Sequence, residues 1–213
     1  MSIIPSHAPA ACAAAFSAQL PAFLSGSVGL NTPTFVGQAP PLPSPADIGT
    51  GILAAIQVFG LSLQTIVDDP TTFNPTPAGW QLFAGAVTSK PQVVSGLMMQ
   101  SRHTGAWKLA SVSYGSIVRD RLDDLNNLGT VPGLSPTDDY ETFLVEIPGV
   151  NLRAFWLVPQ KHGSPDWIRP IPAGIAQILP ALKSPNVYAV NDVLATILPM
   201  ARANLAMGAR HGA

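Results

Sequence analysis

The run IGTGILAAIQVFGLSLQTIV, residues 48–67, decides how the chain is read. It holds no charged residue, and Ile48, Ile52, Ile56, Phe59, Leu63 and Ile66 recur at spacings of three or four. That spacing places them on one side of an α-helix. Ser44 is a capping residue type, Pro45 suits a first helical position, and Asp47 favours the positive end of the helix dipole. Asp68, Asp69 and Pro70 supply a stop. The spacing therefore predicts an apolar helix whose stripe (Ile48, Ile52, Ile56, Phe59, Leu63) faces a core or a partner. The run is long enough to span a bilayer. Gln57, Gln64, Thr50, Thr65, Ser62 and its glycines interrupt it, and no basic residue flanks it, so a buried helix is expected and a membrane span is not.

Upstream, Pro9 to Leu24 is Ala-rich, with Phe16, Leu20, Phe23 and Leu24 on one side, which predicts a short helix interrupted at Pro21. Ser25 to Ser44 is rich in Gly and Pro and reads as an extended connector. Residues 1–44 are read as a helical segment plus a Pro-rich arm, and residues 45–213 as a single α+β domain.

Downstream, Trp80 to Val87 and Gln92 to Met99 are apolar and fit strand or helix. Trp107 to Tyr114, bounded by Gly105 and Gly115, predicts a strand. Ser116 to Leu128 predicts a surface helix ending at Gly129. Thr142 to Val158 is the strongest hairpin signal, two apolar runs around Pro148-Gly149. The expected register puts Glu146 opposite Asn151 and Val145 opposite Leu152, with the longer of two possible loops. Phe143, Val145, Leu152, Ala154 and Trp156 then share one face. Leu144, Phe155 and Leu157 are apolar on the other, so both faces are expected to be covered. A short helix is expected over Ala173 to Leu182, and a last helix from Asn191, lined by Leu194, Ile197, Leu198, Ala201 and Leu205. The resulting fold class is α+β: a small, largely antiparallel sheet (strand near 107–114, hairpin 142–158) packed with several helices.

Charge narrows the function classes. Charged residues make up 11% of the 213, against about a quarter in an average soluble domain. The net charge is −1, and all eleven Lys and Arg lie from Lys90 onward. From Met1 to Ser89 the only ionised side chains expected are Asp47, Asp68 and Asp69. Nucleic-acid binding needs clustered basic residues to displace counterions, so it is not expected. Cys12 is the one cysteine and allows no intrachain disulfide. The first fifteen residues lack the basic start of a secretion signal, which leaves the cytoplasm as the expected compartment.

For chemistry, Ser111-Val112-Ser113-Tyr114-Gly115 stands between an expected strand and an expected helix. The small-x-Ser-x-Gly pattern resembles the nucleophile elbow of α/β-hydrolases over these five residues. That resemblance implies Ser113 as nucleophile, with Asp138 or Asp139 and then His162 as acid and base. The four histidines lack metal-ligand spacing, and Asp138-Asp139-Tyr140-Glu141 reads as a solvated loop, so no metal is expected. With no phosphate-binding or dinucleotide glycine motif, no cofactor is expected either. The leading expectation is a structural or interaction protein that self-associates, or packs on a protein partner, through its low-charge N-terminal half. A serine hydrolase using Ser113, Asp139 and His162 is one alternative. An apolar small-ligand binder built on the hairpin and the tryptophans is the other.

Overall fold

A computed structural model describes residues 2–4, 6–25, 48–86, 93–161, 163–171, 181–182 and 186–211. In chain order the elements are β1 (Ser2–Ile4), α1 (Ala10–Leu24), β2 (Ile48–Gly60), α2 (Leu63–Asp68), β3 (Thr76–Ala86), β4 (Val93–Gln100) and β5 (Trp107–Tyr114). They continue with α3 (Ser116–Asn126), β6 (Asp139–Ile147), β7 (Leu152–Pro159), β8 (Trp167–Pro170), β9 (Tyr188–Ala189) and α4 (Val190–His211). Nine strands form a mixed sheet in the order β5-β4-β3-β2-β6-β7-β8-β9, with β1 also on β6. The expected small, largely antiparallel sheet among several helices is therefore overturned. Strand is the dominant element, and β1 and β2 both run parallel to β6.

The main source of the difference is the run 48–67. It folds as the strand β2 followed by the six-residue helix α2. A spacing of four serves both periods, since residues four apart share a helix side and also a strand face. The residues between decide: Gly49, Thr50, Gly51, Val58 and Gly60 are weak helix formers. Ser62 caps α2, its Oγ accepting from the Thr65 amide at 3.1 Å. Trp80 to Val87 and Gln92 to Met99 resolve as β3 and β4. Ser44, Pro45 and Asp47, the Pro-rich arm, and residues 172–180 of the expected short helix lie outside the described residues.

Tertiary contacts divide the chain into two compact units, residues 1–6, 57–78 and 127–213, and residues 7–56 and 79–126. In the second unit β3, β4 and β5 form an antiparallel meander. Helix α1 packs on β4 and β5 through Cys12, Phe16, Leu20 and Leu24, a spacing of four that buries one side. Pro21 does not interrupt it. The Pro21 carbonyl still accepts from the Ser25 amide at 3.0 Å, and the helix ends there. Burial pushes the Cys12 thiol up to about 11, which keeps it protonated. The β4–β5 register slips at Ala110: Met98 faces Leu109, and Leu97 faces Ser111. The slip returns Trp107, Leu109, Val112 and Tyr114 to the side of the α1 core, although their sequence spacing breaks strict alternation.

In the first unit β6 and β7 form the expected hairpin. Pro148–Val150 makes a 3-10 turn, and Asn151 takes a left-handed conformation (φ 52°, ψ 36°), which Asn tolerates. The observed pairs are Ile147–Leu152, Glu146–Arg153, Val145–Ala154 and Phe143–Trp156. The register thus differs from expectation by two residues. A two-residue slip leaves every side chain on its own face, so the face assignments stand. Val145, Ile147, Leu152 and Ala154 pack with Ile66 of α2 and with Val193, Leu194, Ile197 and Ala201 of α4. Leu144, Phe155 and Leu157 are buried on the opposite face. Each such large apolar side chain contributes roughly 1.5–3 kcal/mol on leaving water. α4 also ties down the hairpin turn: Asn204 Nδ2 donates to the Gly149 carbonyl at 2.6 Å.

Candidate interaction surface

Ser113 lies within the regular ladder of β5, opposite Ser95 and half-buried. The tight turn before α3 is made two residues later by Gly115, at φ +90°. Asp139 is an exposed residue at the start of β6, opposite Ser2, and its backbone carbonyl accepts from the Gln160 amide at 2.9 Å. Ser113 belongs to the second unit and Asp139 to the first. His162 lies outside the described residues. Among the described residues no group of three or more His, Cys, Asp or Glu side chains is arranged to hold a metal ion. His103 stands exposed in the β4–β5 turn.

The five stripe residues are divided by strand geometry. Ile48 sits at the start of β2. Ile52 is half-buried against the α1 core, and Ile56 is buried. Phe59, near the end of β2, and Leu63, opening α2, are both half-buried in the first unit. Leu53, which the helical reading did not single out, keeps 56% of its surface exposed.

Phe59 leads to the most distinctive side-chain cluster in the molecule. β2 pairs with β6 so that Phe59 stands beside Val145, on the face of the sheet that carries Phe143. The Phe59 and Phe143 rings meet edge to face at 5.2 Å between centroids. The hairpin register places Trp156 opposite Phe143, and the indole meets Phe59 at 5.3 Å and Phe143 at 5.1 Å. Phe73, from the loop after α2, closes on the indole at 5.2 Å. Three of these pairs meet at 74–89°, the edge-to-face geometry of favourable quadrupole contacts, about 0.5–1.5 kcal/mol per pair beyond burial, while Phe143 and Trp156 are tilted at 43°. Trp156 Nε1 donates to Asp166 Oδ2 at 2.9 Å, so the indole is pinned at its polar end. All four rings remain half-buried, neither sealed in the core nor fully in water. Leu63 and Val67 of α2 are half-buried apolar neighbours in the same unit's core.

Phe59, Phe143 and Trp156 were each prominent in the sequence. Phe73 was not, because Thr71 to Gly79 has the composition of a turn-rich link and a single Phe there carries no period. The convergence is a tertiary fact.

On the opposite face of the hairpin, Glu146 and Arg153 form a cross-strand ion pair, Arg153 Nε to Glu146 Oε1 at 2.8 Å. Burial lowers the Arg153 pKa from its ordinary value, and the adjacent Glu146 carboxylate partly offsets this. The two side chains retain 24% and 32% exposure, so the pair is neither dry nor fully screened. Glu146→Ala is expected to cost about 1–2 kcal/mol, chiefly by leaving a half-buried guanidinium without its carboxylate. Urea denaturation checks this. An unchanged midpoint means that water replaces the carboxylate without loss.

Among the described residues no helix is long and apolar enough to cross a membrane. Comparison with protein-family models, with curated proteins and with solved structures finds no match for this chain.

Proposed function

We propose that this is an interaction protein that assembles with copies of itself, and that the aromatic cluster of Phe59, Phe73, Phe143 and Trp156 is its contact surface. The observation that supports this is the half-burial of all four rings at one place in a chain with few charges. Aromatic residues enriched and charges depleted is the composition of an interface core. Two of the rings, with Leu63 and Val67, come from the stretch before Lys90 that contains no Lys or Arg. The carboxylate beside the rings, Asp166, is already engaged by Trp156 Nε1, so the surface favours an apolar partner over a charged one. With a net charge of −1, copies of the chain do not repel one another at long range. A second copy is the partner this chemistry favours, through a two-fold contact in which each patch meets its equal.

Sedimentation velocity over a wide concentration range tests the reading. The wild-type chain is expected to form a dimer or larger closed assembly at micromolar concentration, and Phe73→Ser to weaken it about tenfold or more. Phe73 is the ring of choice because it lies in a loop, outside the ladder. A wild-type chain that stays monomeric at the highest concentration sinks the proposal. So does an assembly that Phe73→Ser leaves unchanged.

A further inference from the structure

The net charge of −1 conceals a division along the chain. Residues 70–119 hold four basic residues, Lys90, Arg102, Lys108 and Arg119, and no acidic one, while the rest of the chain holds seven basic and all twelve acidic residues. Two of the four meet where β4 turns into β5. Arg102 and His103 stand in the turn and Lys108 just beyond it, and all three are exposed. The turn that carries them is firmly held. The Ser101 amide donates to the Ala106 carbonyl at 2.9 Å, and the Gly105 amide to the Ser101 carbonyl at 2.9 Å, with Gly105 at φ +68°. Gln100 Nε2 donates to the Gly105 carbonyl at 2.8 Å. The backbone under Arg102 and His103 is therefore ordered in advance, and little entropy is lost there when the tip meets a surface. Apolar side chains flank the cations. Met99, opposite Lys108 and so on the same face, keeps 45% of its surface exposed. Trp107, opposite Gln100, is half-buried.

We propose that the β4–β5 tip docks on an anionic lipid bilayer, resting among the headgroups without crossing. Charge and composition select that partner. A cationic tip in an acid-free stretch is drawn to the negative potential of anionic headgroups. Basic side chains keep their charge among the phosphates while their stems, and Met99 beside Lys108, reach the apolar boundary beneath. An indole suits the same boundary. A stable protein interface buries about 800 Å² per partner, more than one hairpin tip presents. Nucleic acid attracts the charge but gives Met99 no apolar layer to enter. The tip belongs to the second unit and the aromatic rings to the first, so this docking does not rest on self-association.

Co-sedimentation of the full chain with vesicles tests it, using phosphatidylcholine alone and phosphatidylcholine with about a third phosphatidylserine. The wild-type chain is expected to pellet with the mixed vesicles, not with phosphatidylcholine, and to be released by high salt. Arg102→Gln and Lys108→Gln are expected to weaken binding about fivefold each and about 25-fold together. Met99→Thr, which keeps a strand-forming residue, is expected to weaken it about threefold with the salt dependence unchanged. An unchanged urea midpoint shows that each variant is folded. Arg102→Glu, in the turn and outside the ladder, gives the charge reading independently of the strands. A wild-type chain that leaves the mixed vesicles unbound overturns the proposal, as does binding that the charge variants leave unchanged. Equal binding to soluble polyglutamate, indifferent to Met99→Thr, assigns the tip to an acidic protein and overturns the lipid.

Discussion

Gly79→Ala is expected to destabilise the protein by about 3 kcal/mol or more, among the largest effects of any single methyl group in this chain. Gly79 stands near the start of β3, buried against β4. A Cβ there would run into the backbone carbonyl oxygen of Met98, with the Met98 carbonyl carbon 3.3 Å away and a Leu97 methyl at 3.6 Å. A clash with a flexible side chain is relieved by a rotamer change. This obstacle is main chain within the ladder, fixed by the neighbouring pair Trp80–Met98. Relief requires the two strands to part or slip, and Met98 is fully buried beneath α1. Chemical denaturation followed by circular dichroism reads the loss. A midpoint within error of wild type would mean that β3 and β4 do not approach as described.

Phe16→Ala is expected to cost about 3–5 kcal/mol, the range for removing a buried aromatic ring. Phe16 retains 1% of its surface and sits directly over Gly96 of β4. The fit is mutual: a Cβ on Gly96 would lie 2.6 Å from Phe16 Cε2 and 2.6 Å from Leu109 Cδ1. Gly96→Ala alone therefore overpacks the site, while Phe16→Ala alone empties it. Combined, the added methyl occupies part of the vacated space, and the double variant is expected to be more stable than the sum of the single losses predicts. Strict additivity across that cycle would show that helix and strand are not in contact there. Phe16 is the largest of the side chains that α1 buries, so Phe16→Ala should also loosen Gln19, whose Oε1 accepts from the Leu109 amide at 2.9 Å, and raise exchange at that amide.

Several elements were legible because their borders and periods agreed. Gly105 and Gly115 bracket β5 at Trp107–Tyr114, as expected. The charge-rich face of Arg119 to Asp124 marks α3, and the stripe from Leu194 to Ala201 marks α4, which runs through Pro199 to His211. The hairpin was legible in faces but not in register, since a two-residue slip changes partners without moving any side chain across the sheet. The slip at Ala110 has a trace in the sequence too: apolar residues stand at 107 and 109 and then at 112 and 114, a break of phase that a helix or an even strand does not produce.

The run from Ile48 to Val67 shows where such reading stops. Its isoleucines four apart satisfy a helix side and a strand face equally, and capping residue types upstream tilt the choice the wrong way. Pairing with β6 then decides. Val58, Phe59 and Gly60 bond to Leu144, Val145 and Glu146, residues far along the chain, and no local propensity reports such a partner. The aromatic cluster depends on the same event, because Phe59 reaches Phe143 and Trp156 only once β2 is a strand beside β6.

What the sequence determines alone is therefore local: the borders of segments that glycines bracket, such as β5, the faces of a hairpin whose two runs are both apolar, and how little charge the first 89 residues carry. Which segments become neighbours is decided by tertiary structure. Strand pairing and ring contact are long-range choices, made by the free energy of the whole core and not by the period of any one stretch.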